Sequence, residues 1–211
     1  MEAREYFDSV AEYWDSDYVY NYIARSAAAL VSGAAQGAYV LDIGCGTGEM
    51  FSELIRVGAS EITGVDLSPK MISFAEGKTG FDPRISLRCC DILDFDEGGF
   101  DVAIMFNAYQ FVSDKQALLK KVHSLIRPGG RFTIAFGFGQ ERVNSYLQLV
   151  PEGLGTLLVP ASEEGKAWEN FFLVDILCDT PELYMISGTA REMETGRFSE
   201  PAVFSSFSAC L

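Results

Sequence analysis

The stretch Val40-Leu41-Asp42-Ile43-Gly44-Cys45-Gly46-Thr47-Gly48-Glu49 most constrains what this chain can become. An apolar run enters a turn with glycine at alternate positions, flanked by the acids Asp42 and Glu49. Glycine removes the Cβ atoms, so the backbone can adopt φ > 0 and a flat ligand can lie against it. The apolar run reads as a strand buried on both faces, as in a parallel sheet. Helical spacing follows at once: Phe51, Leu54, Ile55 and Gly58 fall at i, i+3, i+4 and i+7, predicting a helix over 48–57. Strand, glycine turn and helix make the first unit of a nucleotide-binding α/β domain.

The rhythm continues. Strands are predicted at 39–43, 61–66, 84–89, 100–106 and 131–136, and helices at 69–78 and 115–127. Short connections such as Asp82-Pro83, Gly98-Gly99 and Pro128-Gly129-Gly130 join them. Such βαβ repetition implies a mostly parallel, doubly wound sheet with right-handed crossovers and helices on both faces. Beyond Phe136 the pattern changes. Helices are predicted at 141–150 and 161–169. Apolar runs at 171–178 and 182–189, parted only by Asp179-Thr180-Pro181, then suit an antiparallel hairpin. Ahead of the first strand, residues 2–33 read as helical, with Tyr6, Val10, Tyr13 and Trp14, then Tyr22, Ile23, Ala27 and Leu30, at helical spacing. Residues 191–211 show no pattern. The whole, 1–211, is expected to be one domain, with 1–33 as a helical cover, 38–190 as the core and 191–211 as a tail.

Composition sets limits. The formal charge of −14 argues against a polyanionic partner, since binding phosphates takes clustered Lys and Arg; nucleic acid and anionic membrane surfaces are therefore not expected. No apolar run approaches the ~20 residues that span a bilayer. The start, Met1-Glu2-Ala3-Arg4-Glu5, is too polar for a secretion signal, so a cytoplasmic protein is expected. Cys45, Cys89, Cys90, Cys178 and Cys210 lack C-x-x-C spacing, and His123 is the only histidine; no metal site is expected, and the thiols read as reduced.

A dinucleotide fingerprint reads G-x-G-x-x-G and seats a pyrophosphate at the helix start. Here the spacing is Gly44-x-Gly46-x-Gly48, and the third-glycine position is Glu49. Asp42 and Glu49 repel a phosphate and welcome an ammonium or sulfonium, so the turn suits a nucleoside carrying cationic groups. Asp66, ending the second strand, could accept hydrogen bonds from ribose hydroxyls, or cap the next helix, a job that Ser68 before Pro69 fits better. Asp91 could meet an adenine amino group with Ile92 against the ring, or be a plain loop acid. Asn107 ends the fourth strand, on the carboxyl edge where open α/β sheets bind ligands.

Together these residues resemble the class I S-adenosylmethionine-dependent methyltransferases, specifically their small-molecule, quinone-biosynthesis-like branch. The matching elements are Asp42, Gly44-Cys45-Gly46-Thr47-Gly48, Asp66, Asp91 and Arg127-Pro128-Gly129-Gly130-Arg131, with the hairpin after residue 170 as strands six and seven. Tyr6-Phe7-Asp8-Ser9-Val10-Ala11-Glu12-Tyr13-Trp14-Asp15 resembles the helical lid of that branch. The resemblance implies a Rossmann-like, seven-stranded, mostly parallel sheet with a C-terminal antiparallel hairpin. It implies S-adenosylmethionine as methyl donor, with S-adenosylhomocysteine as product, and a small, largely apolar acceptor. The backbone of Gly44, Cys45, Gly46 and Gly48 would cradle the cofactor's methionine portion, with Asp42 near the amino group. Asp66 would hold the ribose, Asp91 and Ile92 the adenine, Leu67 and Met71 the adenosine faces, and the Asn107 carbonyl the ammonium. Tyr6, Trp14, Tyr109 and Phe111 would close the acceptor pocket; core packing is the alternative for the lid aromatics.

Methyl transfer from a sulfonium is an in-line displacement with a good leaving group, so positioning and exclusion of water can supply much of the catalysis. Related enzymes often carry a histidine after strand five; here the segment is Phe136-Gly137-Phe138-Gly139-Gln140-Glu141-Arg142. His123 belongs to a helix covering the sheet; Glu12, Asp15 and Tyr109 could serve as a base but read more readily as solvated or packing residues, and no catalytic base is assigned. That absence leaves acceptors that ionise readily, such as thiols, and keeps open a second reading: a catalytically silent cofactor-binding sensor or partner subunit. A nicotinamide-dependent dehydrogenase is disfavoured by Glu49. The acceptor and the oligomeric state are not readable from the chain.

Overall fold

A computed structural model describes residues 1–17, 22–35, 37–80 and 82–192. Cys210 and the tail from 193 onward lie outside the described residues. Seven strands form one sheet: β1 (Tyr39–Ile43), β2 (Glu61–Asp66), β3 (Ile85–Cys89), β4 (Phe100–Phe106), β5 (Ile126–Phe136), β6 (Phe172–Thr180) and β7 (Leu183–Ala190). Their order is β3-β2-β1-β4-β5-β7-β6. The first five run parallel, while β7 pairs antiparallel with both β5 and β6. This is the seven-stranded, mostly parallel sheet with an antiparallel C-terminal pair that the sequence predicts.

Seven helices accompany the sheet among the described residues: α1 (Ala3–Val10), α2 (Tyr22–Val31), α3 (Phe51–Val57), α4 (Pro69–Thr79), α5 (Lys115–Leu125), α6 (Gln140–Tyr146) and α7 (Ala161–Trp168). Alternation along the strands builds two cores. Leu41, Ile43, Ala103, Met105, Phe132 and Ile134 join α5 and α7 in one cluster. Val40, Ile62, Val102 and Ile104 join α2, α3 and α4 in the other. Mid-strand Gly64 is required by close packing. A Cβ there would stand 2.8 Å from Phe51 Cζ and 2.9 Å from Leu87 Cδ2.

Several boundaries move for local reasons. The glycine turn keeps its own hydrogen bonds through Gly48, so α3 starts at Phe51 rather than at 48. Ser68 caps α4, its Oγ accepting from the Met71 N–H at 3.1 Å with Pro69 in the first turn, which is the capping job the sequence assigned to it. Helix α5 ends at Leu125, and β5 begins at Ile126, earlier than the predicted 131. Ile126 pairs with Phe100, and the register shifts before pairing resumes at Val102↔Arg131. The hairpin turn is shorter than expected, because β6 runs on to Thr180. The continuous helical reading of 2–33 is replaced by α1, a 3-10 turn at Trp14–Asp17 and α2.

In α2 the large apolar residues at helical spacing face out. Tyr22, Ile23 and Leu30 are exposed, Ile23 at 82%. Ala24, Ala28 and Ala29 are buried instead, because α2 lies close against α3 and β5 and only small side chains fit between them. Ala28→Leu should therefore destabilise the protein by about 1–3 kcal/mol through overpacking. Ile23→Ser should stay within about 0.5 kcal/mol of native. Urea unfolding of the two variants checks the assignment, and the reverse order would refute it.

Candidate active site

The carboxyl ends of β1, β2 and β4 open into a cavity of about 710 Å³. Its floor is the glycine turn. The Gly44 and Cys45 N–H groups donate to the Val65 carbonyl at 2.8 and 3.1 Å, holding the turn against β2. Gly44 has φ +68, and a Cβ there would come 2.7 Å from Ala108 Cβ, so no larger residue fits. Asp66 binds the turn from the side. Its Oδ2 accepts from the Gly46 N–H at 2.9 Å and its Oδ1 from the Ser68 N–H at 2.8 Å. Each carboxylate oxygen keeps a further acceptor site.

Asp42 differs from Asp66. It is 1% exposed, lines the cavity, and its Oδ2 has no hydrogen-bond partner within the protein. Burial, with the Asp66 and Glu49 charges adding to it, pushes its carboxyl up to about 8. Glu49 is raised to about 6, again chiefly by burial, against the lowering effect of Arg25, whose guanidinium lies 3.2 Å away. Asp66 is also raised by burial, partly offset by its backbone hydrogen bonds. The cavity floor thus concentrates acidic groups, and one buried oxygen lacks a donor.

Asp91, Ile92, Leu67, Met71 and Asn107 line the same cavity, with Asp42, Gly44, Cys45, Gly46 and Asp66. Asp91 also caps the short turn Ile92–Asp94, accepting from the Leu93 N–H at 2.9 Å. Asn107 stands at φ +54, the one non-glycine residue with positive φ among those described, and its Oδ1 accepts from the Gly137 N–H at 3.1 Å. Gly48 lies outside the cavity, with Phe51 filling the space where a side chain would go.

Of the expected pocket aromatics, Trp14 and Phe111 line the cavity and two do not. Tyr109 is fully buried in the core; its hydroxyl donates to Glu164, and the Lys115 ammonium sits 4.8 Å from its ring centroid. The 3-10 turn Tyr109–Phe111 sends Tyr109 inward and Phe111 toward the cavity. Tyr6 packs edge-on against Phe7 at 5.3 Å, and it is Phe7 that lines the cavity. Phe7 meets Trp14 at 5.9 Å and Phe111 at 4.9 Å, both edge-on, making a continuous aromatic wall. Its helical offset from Trp14 was the available sequence signal. His123 stays away from the cavity, its Nε2 lying 2.8 Å from the Arg191 carbonyl and its ring against Phe171 and Phe172.

Segment 1–17 is fastened to this site by Asp8 and Asp15, whose contacts the sequence does not reveal. Asp8 Oδ1 accepts from Ser68 Oγ at 2.5 Å and from the Lys70 N–H at 3.2 Å, docking α1 on the start of α4. Asp15 bonds Thr47 of the glycine turn at 2.7 Å. Motif spacing carries no sign of either contact, because both partners are distant in sequence.

Residues 40–130 match the family model of a methyltransferase domain. The demethylmenaquinone methyltransferase of Tropheryma whipplei is 32% identical over 139 residues, covering 63% of this chain; the chain spans 58% of that relative's length. A Haloferax volcanii complex of the Trm112 methyltransferase activator with a methyltransferase superposes with a TM-score of 0.78 at 20% identity, covering 92% of this chain and 100% of that one. The N-methyltransferase NodS of Bradyrhizobium japonicum, solved with S-adenosyl-L-homocysteine, gives 0.72 at 15% identity, covering 91% and 100%. At these identities the two structures establish the fold.

The raised carboxyl of Asp42 has a sign that can be checked. Its folded value of about 8 lies above the ordinary 3.8, so the native protein keeps a proton that the unfolded chain has released. The stability tied to it is complete below about pH 4 and is lost as pH rises toward 8, at up to ~1.4 kcal/mol per pH unit. Asp42→Asn should flatten that slope. Urea unfolding of native and variant protein between pH 5 and 8 would show parallel curves if Asp42 ionises normally.

Proposed function

We propose that this chain is a class I S-adenosylmethionine-dependent methyltransferase that methylates a small, largely apolar acceptor, a reading supported by the methyltransferase-domain match over residues 40–130 and by the 32%-identical relative. The observation that carries the site assignment is Asp42, which lines the cavity and keeps one buried carboxylate oxygen without a donor. A ligand presenting an ammonium and a sulfonium relieves that deficit, whereas a pyrophosphate deepens it.

In this reading the Gly44–Gly46 backbone holds the methionine portion, with Asp42 and the Asn107 carbonyl at its ammonium. Asp66 takes the ribose hydroxyls with the acceptor capacity its two backbone bonds leave free. Asp91 and Ile92 hold the adenine edge and face, and Leu67 and Met71 pack along the adenosine. Bound there, the cofactor supplies a methyl group activated by its positive sulfur. The protein's part is to orient the acceptor and keep water out. Phe7, Trp14 and Phe111 suit a flat ring, and the relative's name, demethylmenaquinone methyltransferase, fits a quinol-like acceptor on that wall. With His123 turned toward Arg191, no histidine serves as base among the residues lining the cavity, which favours an acceptor that ionises readily. The free thiols of Cys45, Cys89, Cys90 and Cys178 suit a reducing compartment and support a cytoplasmic protein.

Calorimetric titration should detect binding of S-adenosylhomocysteine to the native protein. Asp66→Ala should weaken it about tenfold or more, the loss expected when hydrogen bonds to a charged group are removed. A native protein that binds neither S-adenosylhomocysteine nor S-adenosylmethionine would end this reading.

A further inference from the structure

Thr47 stands between Gly46 and Gly48 in the glycine turn and is 1% exposed. Its hydroxyl donates to Asp15 Oδ1 at 2.7 Å. The Lys78 ammonium, reaching over from α4, donates to Thr47 Oγ1 at 2.7 Å and to Asp15 Oδ2 at 2.6 Å. One group from segment 1–17, one from the turn and one from α4 therefore close a ring of bonds. Next to Asp15, the Trp14 Nε1 lies 3.7 Å from where a Cβ on Gly46 would stand, so the indole covers the turn. From Trp14 the aromatic wall continues through Phe7 to Phe111 on the far side of the cavity.

We propose that Asp15 is a positioning residue whose bond to Thr47 couples occupancy of the cofactor site to closure of segment 1–17. The proposal rests on the reading of the cavity as that site. The coupling runs through the turn itself, because Thr47, which latches the cover, directly follows Gly46 of the cradle. It is reciprocal: if closure tightens cofactor binding by some factor, bound cofactor favours closure by the same factor. The latch is also weak enough to release. Lys78 and Asp15 are 43% and 49% exposed, and exposed pairs shift an equilibrium only severalfold. A cover held this way can open for product to leave, whereas a buried pair would hold it shut.

The two tryptophans provide the readout. Trp168 is buried and stacked on Phe132 at 4.6 Å, so acrylamide quenching reports on Trp14. In the native protein, saturating S-adenosylhomocysteine should reduce that quenching. Asp15→Ala and Thr47→Val should raise the calorimetric Kd for S-adenosylhomocysteine about three- to tenfold and leave Trp14 quenchable at saturation. Asp15→Asn retains an acceptor for the Thr47 hydroxyl and should fall between them and native. Arg84→Met, which breaks the exposed pair with Asp82, should leave both readings at native values. Circular dichroism confirms that each variant is folded. The latch is overturned if Trp14 quenching in the native protein ignores bound S-adenosylhomocysteine, or if Asp15→Ala binds it with native affinity. Loss of binding in the native protein itself would instead remove the cofactor reading, and the latch with it.

Discussion

Two backbone amides converging on one carboxylate hold the arrangement on which the cavity depends. Asp66 receives the N–H of Gly46 from the turn after β1 and the N–H of Ser68 from the start of α4. Hydrogen bonds to an ionised acceptor are roughly twice as strong as neutral ones. They fix the turn, the end of β2 and the first turn of α4 as a single piece. Asp42, almost completely buried, receives no such compensation at Oδ2. Two acids on parallel neighbouring strands therefore differ in kind: one stabilises the scaffold and the other keeps a buried oxygen unpaired.

The sheet was legible because each strand is an apolar run bounded by turn residues, and β1 to β4 lie within one or two residues of their predicted limits. The hairpin was legible because its connection is too short for a parallel crossover. What escaped was information that sequence periodicity does not hold. In α2, helical spacing picked out Ile23 and Leu30 but not which face is buried, and available space places Ala28 and Ala29 inside. At Tyr109–Phe111 a three-residue turn has too few positions for a period to show, and the two rings face opposite ways. The bonds of Asp8, Asp15 and Thr47 run to partners far along the chain, so no local pattern exposes these contacts. Residues with a motif position were visible, and those defined by a long-range contact were not.

Negative charge is spread over the whole chain, but its effect inside the cavity is specific. Asp42, Glu49 and Asp66 are all raised by burial, so each holds its proton to a higher pH than it would in water. Only Glu49 has a basic side chain beside it, Arg25 from α2. The floor therefore concentrates acidic groups, while the wall of Phe7, Trp14 and Phe111 is apolar.

The placement of β7 between β5 and β6 bears on how the chain is made. The sheet cannot be finished in the order of synthesis, since its sixth and seventh positions are filled by the seventh strand and then the sixth. Until residues 183–190 leave the ribosome, β5 presents an unpaired row of amides and carbonyls backed by Phe132, Ile134 and Phe136. An open apolar edge of that kind invites pairing with another chain. The vulnerable interval of this protein's synthesis is thus the time taken to add its last strand, and slow decoding between residues 137 and 190 would prolong it.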